Sequence, residues 1–179
     1  MFDPPADVPD EITQLVASDR PLTRDEVVQV ARATEDALDL DALAWHREGS
    51  RVCRQLYATE HYEAWLICWQ NDGDTGWHDH ESSLGGVHVV QGELVEENIC
   101  LRPGSESWSQ RRTYVAGEGF SFDERHIHRM THAGGGPAIS VHCYSPPLVA
   151  MGQYELDDDG VLRRESISGD AELVASRGF

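Results

Sequence analysis

Apolar positions recur with a helical period only in the first quarter of the chain. Between Thr23 and Leu40, the residues Val27, Val30, Ala31 and Ala37–Leu38 fall on one stripe, which predicts an amphipathic helix. Thr23 and Glu26 form a capping-box pattern at its start, and Leu22 with Val27 matches a hydrophobic staple. Glu11–Ser18 reads as a shorter helix. The first nine residues carry three of the eight prolines and no periodicity, so they read as a loose arm.

After about Arg51 the pattern changes to short runs of branched and aromatic residues. Arg51–Tyr57, Tyr62–Trp69, Gly86–Val95, Ile99–Leu101, Thr113–Phe122 and Ala138–Tyr144 are predicted strands, and most are separated by Gly, Asp, Asn or Pro clusters. Asn71-Asp72-Gly73-Asp74 signals a turn, Gln91-Gly92-Glu93 a tight turn or bulge, and Asp157-Asp158-Asp159-Gly160 a solvated turn. Many short strands behind a helical preface point to an all-β-dominated fold, a small antiparallel barrel or sandwich. One domain is the expectation for residues 1–179: a helical preface over 1–50, a barrel over 51–147, and C-terminal strands or tail over 148–179.

Charge removes several function classes. Lys and Arg total 14 against 32 Asp and Glu, a formal net charge of -18, and protonating all nine His would leave the chain acidic. Nucleic-acid backbones and anionic membrane surfaces both need clustered cations, so neither is an expected partner. No apolar run is long enough to span a bilayer, and no signal peptide is apparent. Cys53, Cys68, Cys100 and Cys143 are scattered, without a CxxC, which fits reduced thiols and a cytoplasmic location. The expected assembly is a monomer or a small homo-oligomer.

Within this strand-rich region His78-Asp79-His80 stands out. In an extended chain, side chains at i and i+2 point the same way, so one strand can present both imidazoles to one ion. Arg125-His126-Ile127-His128 offers a third imidazole from another strand, through either His126 or His128, which share a face. Three neutral nitrogens leave coordination positions open for chemistry, whereas a structural zinc site is closed by a fourth ligand; imidazole suits iron and zinc alike. In Ile139–Tyr144, Ser140, His142 and Tyr144 share one face and Ile139, Val141 and Cys143 the other. If the polar row lines a cavity, it can form a hydrogen-bonded chain. His46, His61, His88 and His132 carry no expected role, and Trp77, of opposite parity to His78, reads as packing.

Taken together these segments resemble the cupin superfamily and, within it, the thiol dioxygenases of the cysteine dioxygenase type. The first cupin motif runs G(X)5HXH(X)3-4E(X)6G. Its histidines correspond to His78 and His80 and its closing glycine to Gly92, which puts Gly85 where most cupins carry a metal-binding Glu; the opening Gly falls at Asp72, beside Gly73. Thiol dioxygenases are the cupins that bind iron with three His and no carboxylate. His128-Arg129 is similar to the third-ligand segment. Ser140 to Pro147 resembles the serine–histidine–tyrosine relay, followed by a Ser-Pro bond that is cis in relatives. Leu66–Trp69 is similar to the strand before the HxH, and Arg54-Gln55-Leu56 to the segment holding a substrate-binding arginine.

The resemblance implies a cupin barrel, Fe(2+) held by His78, His80 and His128, and conversion of L-cysteine plus O2 to cysteine sulfinic acid. Arg54 would grip the substrate carboxylate, with Arg51 its competitor of opposite strand parity. Tyr144 would act near the substrate, oriented by His142 and then Ser140. Animal relatives carry at the place of Gly85 a cysteine crosslinked to the tyrosine; glycine implies a bacterial-type enzyme with an unlinked phenol. Mercaptopropionate-type relatives have Gln at the Arg54 position, so Gln55 keeps another small thiol, such as 3-mercaptopropionate, as an alternative substrate. A non-catalytic metal-binding cupin is the alternative from a different class.

Overall fold

A computed structural model describes residues 20–38, 51–70, 72–100, 108–158 and 161–169. The Glu11–Ser18 helix and the segment around His46 lie outside the described residues. Helix α1 is Arg24–Asp36, and its N-terminus is closed as the sequence predicts. The Thr23 side chain accepts from the Glu26 backbone N–H, and the Glu26 carboxylate accepts from Thr23 N at 2.7 Å. These bonds satisfy two amides that the helix itself leaves unpaired. Leu22 and Val27 are buried in the same cluster, as a staple requires.

The strands are β1 (Arg51–Ala58), β2 (Glu63–Trp69), β3 (Trp77–Asp79), β4 (Leu84–Gln91), β5 (Glu93–Cys100), β6 (Trp108–Val115), β7 (Gly119–Phe122), β8 (Ile127–His132), β9 (Ala138–Ser145), β10 (Ala150–Leu156) and β11 (Leu162–Ser168). They form a five-stranded sheet, β1-β2-β9-β4-β7, and a six-stranded sheet, β11-β10-β3-β8-β5-β6, with every pairing antiparallel. The first sheet buries both faces. On its outer face α1 packs against Ile139, Val141 and Cys143. On its inner face Cys53, Trp65, Ile67, Trp69, Val87 and Val89 join Leu94, Tyr114 and Met130 of the second sheet in the core between the two layers.

Two local features seat the helix. A Cβ on Gly86 would lie 2.5 Å from Val28 N, so β4 presents bare backbone where α1 crosses it. Beside it His88, fully buried, meets Glu35 of α1 through Nε2 at 2.5 Å. The sequence assigns His88 no role; it joins helix to sheet.

One predicted strand is corrected by a turn. Thr113–Phe122 is not one strand: Gly117, at φ +88°, turns the chain between β6 and β7, and Gly117 N donates to Val89 O at 2.8 Å. Gly86–Val95 divides at the expected turn, at Gly92, whose φ of +74° favours glycine and where a Cβ would lie 2.8 Å from that of Ala138. The Ser145–Pro146 bond is cis. No helix among the described residues is long and apolar enough to cross a membrane.

Candidate metal centre

His78 lies in β3 and His128 directly opposite in β8, as a registered antiparallel pair. β3 ends at Asp79, so His80 is the first residue past the strand, yet its ring stays with the other two. Ring centroids are 4.6 Å apart for His78–His128, 4.9 Å for His78–His80 and 5.1 Å for His80–His128. One ligand atom from each lies within 4.8 Å of the others, and all three residues are buried.

The hydrogen bonds orient the rings. His78 Nδ1 donates to Gly76 O at 3.1 Å, and His128 Nδ1 donates to Glu96 Oε1 at 3.1 Å. With Nδ1 committed as donor, the two rings turn Nε2 toward each other, and the two Nε2 atoms are 3.1 Å apart. A shared proton or a metal cation would suit such a pair. A proton serves only two nitrogens, and neither ring nitrogen of buried His80 has a hydrogen-bond partner among the described residues. A cation serves all three. Two donors about 2.1 Å from one ion, at about a right angle, are about 3 Å apart. Burial, reinforced by the neighbouring imidazoles, holds His80 well below the ordinary histidine pKa and His128 at about 3, so both are neutral and ready to donate a lone pair.

Each ring is oriented by different means. His80 is flanked by the near-parallel rings of Phe122 (4.6 Å, 27°) and Tyr144 (5.2 Å, 30°). Glu96, on β5, orients His128. It accepts from both His128 Nδ1 and His126 Nε2, the latter at 2.7 Å, while Tyr114 OH donates to its other oxygen at 3.3 Å. Burial raises the Glu96 pKa, but the two histidine hydrogen bonds more than offset it and hold the carboxyl at about 2. His126 therefore stands behind Glu96, its ring stacked on Phe122. Glu96 is absent from the sequence expectations. Its only signal is parity: it follows Leu94 on the inward row of β5. Carboxylates of this kind fix the tautomer of a ligating histidine. Glu96→Gln is expected to weaken metal binding about tenfold or more with the fold retained, measured by competition with a chromophoric chelator.

The polar row of β9 faces inward. Ser140, His142 and Tyr144 are all buried, and they are linked in order: Ser140 Oγ to His142 Nε2 at 2.9 Å, and His142 Nδ1 to Tyr144 OH at 3.2 Å. Trp69 ends this chain: its indole N–H donates to Ser140 Oγ at 2.9 Å. Burial holds His142 well below its ordinary pKa, so the neutral ring carries one proton, donating at one end of the Ser140–Tyr144 pair and accepting at the other.

The cysteine dioxygenase type I family model matches residues 3–157. The chain belongs to this family. It is a cupin thiol dioxygenase by family, and solved structures agree on the fold. The TT1209 protein from Thermus thermophilus is 18% identical, with a TM-score of 0.50 over 62% of this chain and 96% of that one. An uncharacterized conserved protein with a double-stranded β-helix domain from Klebsiella pneumoniae is 16% identical, with a TM-score of 0.50 over 61% and 83%.

Within this family frame one expected residue is not at the centre. Arg54 is exposed and pairs across the sheet with Leu66, which packs in the helix-side cluster; its side chain faces away from the three histidines. Strand alternation is the cause, since β1 turns Arg51 and Cys53 inward. Arg51 is 8% exposed, lies opposite Trp69 and packs its guanidinium 5.7 Å over the Trp69 ring. Its charge contributes, after burial and His128, to the lowered pKa of His142. Gln55, opposite inward-facing Trp65, donates Nε2 to buried Glu63 at 2.8 Å.

Gly85 sits between Phe122 and Tyr144 in the sheet, where animal members of the family carry the crosslinking cysteine. Here a Cβ would meet Phe122 Cζ at 2.2 Å. The space of that side chain belongs to a ring that also stacks on His80.

Proposed function

We propose that the protein is an iron-dependent dioxygenase of a small carboxylate-bearing thiol, with L-cysteine as substrate and cysteine sulfinic acid as product. The observation that carries the reading is the pair of facing Nε2 atoms 3.1 Å apart beside a histidine whose buried nitrogens have no protein partner among the described residues. His78, His80 and His128 would hold the ion without adding charge, so a divalent cation keeps its attraction for a thiolate. Ferrous iron, when bound, supplies the electron transfer that lets O2 react with the thiolate, and both oxygen atoms end on sulfur.

The remaining work falls to the chain. Burial of the three rings and of the β9 relay excludes bulk water from the reacting sulfur. Tyr144 donates its hydroxyl proton toward the ring cluster, and His142 and Ser140 hold it there. Arg51, not Arg54, is the inward cation for the substrate carboxylate, because guanidinium matches a carboxylate through two parallel hydrogen bonds. Cys53, Cys68 and Cys143, none of them in a disulfide, accord with a reducing cytoplasm, where a thiol substrate persists. A second reading, oxidation of 3-mercaptopropionate, is favoured by inward-facing Gln55.

The test is O2 uptake by ferrous-loaded protein given each thiol, with product mass. Cysteine is expected to consume one O2 per molecule and gain two oxygen atoms. Turnover of 3-mercaptopropionate with none of cysteine overturns the substrate, and iron-loaded protein inert toward both leaves a non-catalytic metal-binding cupin.

A further inference from the structure

Between the two histidines of the HxH, Asp79 points to the opposite face, where its carboxylate is saturated with donors. Oδ1 accepts from Glu81 N at 2.9 Å, Gly152 N at 3.2 Å and Arg164 Nη2 at 2.9 Å. Oδ2 accepts from Tyr154 OH at 2.6 Å and Arg164 Nε at 2.7 Å. The two-pronged Arg164 contact is the strong form of this interaction. Arg164 Nη2 also reaches Glu81 Oε1 at 3.1 Å, and the Ser166 hydroxyl donates to the same oxygen at 2.9 Å. Gly152 permits this approach. A Cβ there would lie 2.2 Å from Arg164 Nε and 2.5 Å from Asp79 Oδ2.

β3 needs such support. It has three residues, and its pairing with β8 is the single couple His78↔His128; its other neighbour is β10. So short a ladder fixes little on its own. Arg164 and Ser166 stand on β11, beyond residue 157 where the family match ends.

We propose that Arg164 is a positioning residue for the metal ligands: the C-terminal hairpin of β10 and β11 grips Asp79 and thereby sets where His78 and His80 stand. This rests on the reading of the three histidines as a metal site. Arg164 touches no ligand ring, so its effect passes through Asp79. A hairpin that merely adds stability would leave metal affinity and coordination unchanged in the folded protein.

Cobalt(II) is the probe, because its visible absorption reports ligand arrangement independently of turnover. Apo wild type, Arg164→Met, Arg164→Lys, Gly152→Ala and the control Arg163→Met are titrated against a chromophoric chelator, with folding followed by circular dichroism. Arg164→Met and Gly152→Ala, which disturb the same contact by opposite means, are expected to raise the cobalt Kd by about 10–100-fold and to alter the absorption bands. Arg164→Lys, which keeps the charge without the fork, is expected to fall between. Arg163→Met, which loses a contact to Asp157 away from Asp79, is expected to match wild type. If Arg164→Met does not fold, Gly152→Ala decides. Wild-type Kd and bands in folded Arg164→Met or Gly152→Ala overturn the inference while leaving the metal site standing. Failure of wild type to take up cobalt sinks the metal reading and this inference with it.

Discussion

His80→Ala is expected to abolish metal retention and thiol-dependent O2 uptake together, with activity falling about 10³-fold or more, a loss well above the about 10–100-fold typical of disturbing a supporting residue. His78 and His128 keep their Nδ1 anchors on Gly76 and Glu96 in this variant, so their two nitrogens still face each other. Two donors from a facing pair hold a proton as readily as a metal, and the advantage of the third imidazole is gone. Folding is expected to survive. In the apo protein His80 buries two nitrogens with no partner among the described residues, a desolvation cost of about 1–3 kcal/mol for each unsatisfied group. Its removal relieves that cost while opening a gap between Phe122 and Tyr144. The decisive measurement is thermal: added Co(II) should raise the Tm of wild type and leave that of the variant unmoved, because only a ligand bound by the native state shifts the transition. Equal metal content and unchanged turnover in His80→Ala would refute the centre.

How far the sequence alone reaches depends on whether a feature is local. The Thr23 cap, the Val27, Val30 and Ala31 stripe of α1 and the inward row of β9 repeat over a few residues, and the chain shows each of them where the pattern puts it, although the helix stops at Asp36 and leaves the expected Ala37 exposed. β1 is different. Val52, Cys53, Arg54, Gln55, Leu56 and Tyr57 do not alternate cleanly, and a register shift between Gln55 and Tyr57 breaks the period. Leu56 and Tyr57 then both pack on the helix side. Without an alternating pattern, a motif match could place Arg54 in the substrate segment but could not say which way it points. Glu96 was hidden for another reason. Glu93, Glu96 and Glu97 share β5, and a buried carboxylate reads like an exposed one until its partners His126 and His128, about thirty residues on, are brought against it. The Arg164–Asp79 contact, with a sequence separation of 85, had no local trace at all.

Tyr144→Phe is expected to leave metal content intact and to slow turnover about 10²-fold, the scale seen when one oriented donor is taken from a reacting centre. The variant removes the last hydroxyl of a buried hydrogen-bonded chain. Trp69 N–H donates to Ser140 Oγ, Ser140 Oγ meets His142 Nε2, and His142 Nδ1 meets the phenol oxygen. Deleting the hydroxyl leaves His142 Nδ1 without that partner, while the ring stack on His80 is one that phenylalanine preserves. Metal affinity should therefore hold while kcat falls, a separation that distinguishes proton donation from a packing role. Trp69→Phe tests the same logic at lower cost. It removes one neutral hydrogen bond, worth about 1 kcal/mol, so a several-fold loss in kcat is expected with the metal again retained. If Tyr144→Phe turned over cysteine at the wild-type rate with full iron, the relay would be a structural network only, and the proton required by the chemistry would have to come from the substrate or from solvent.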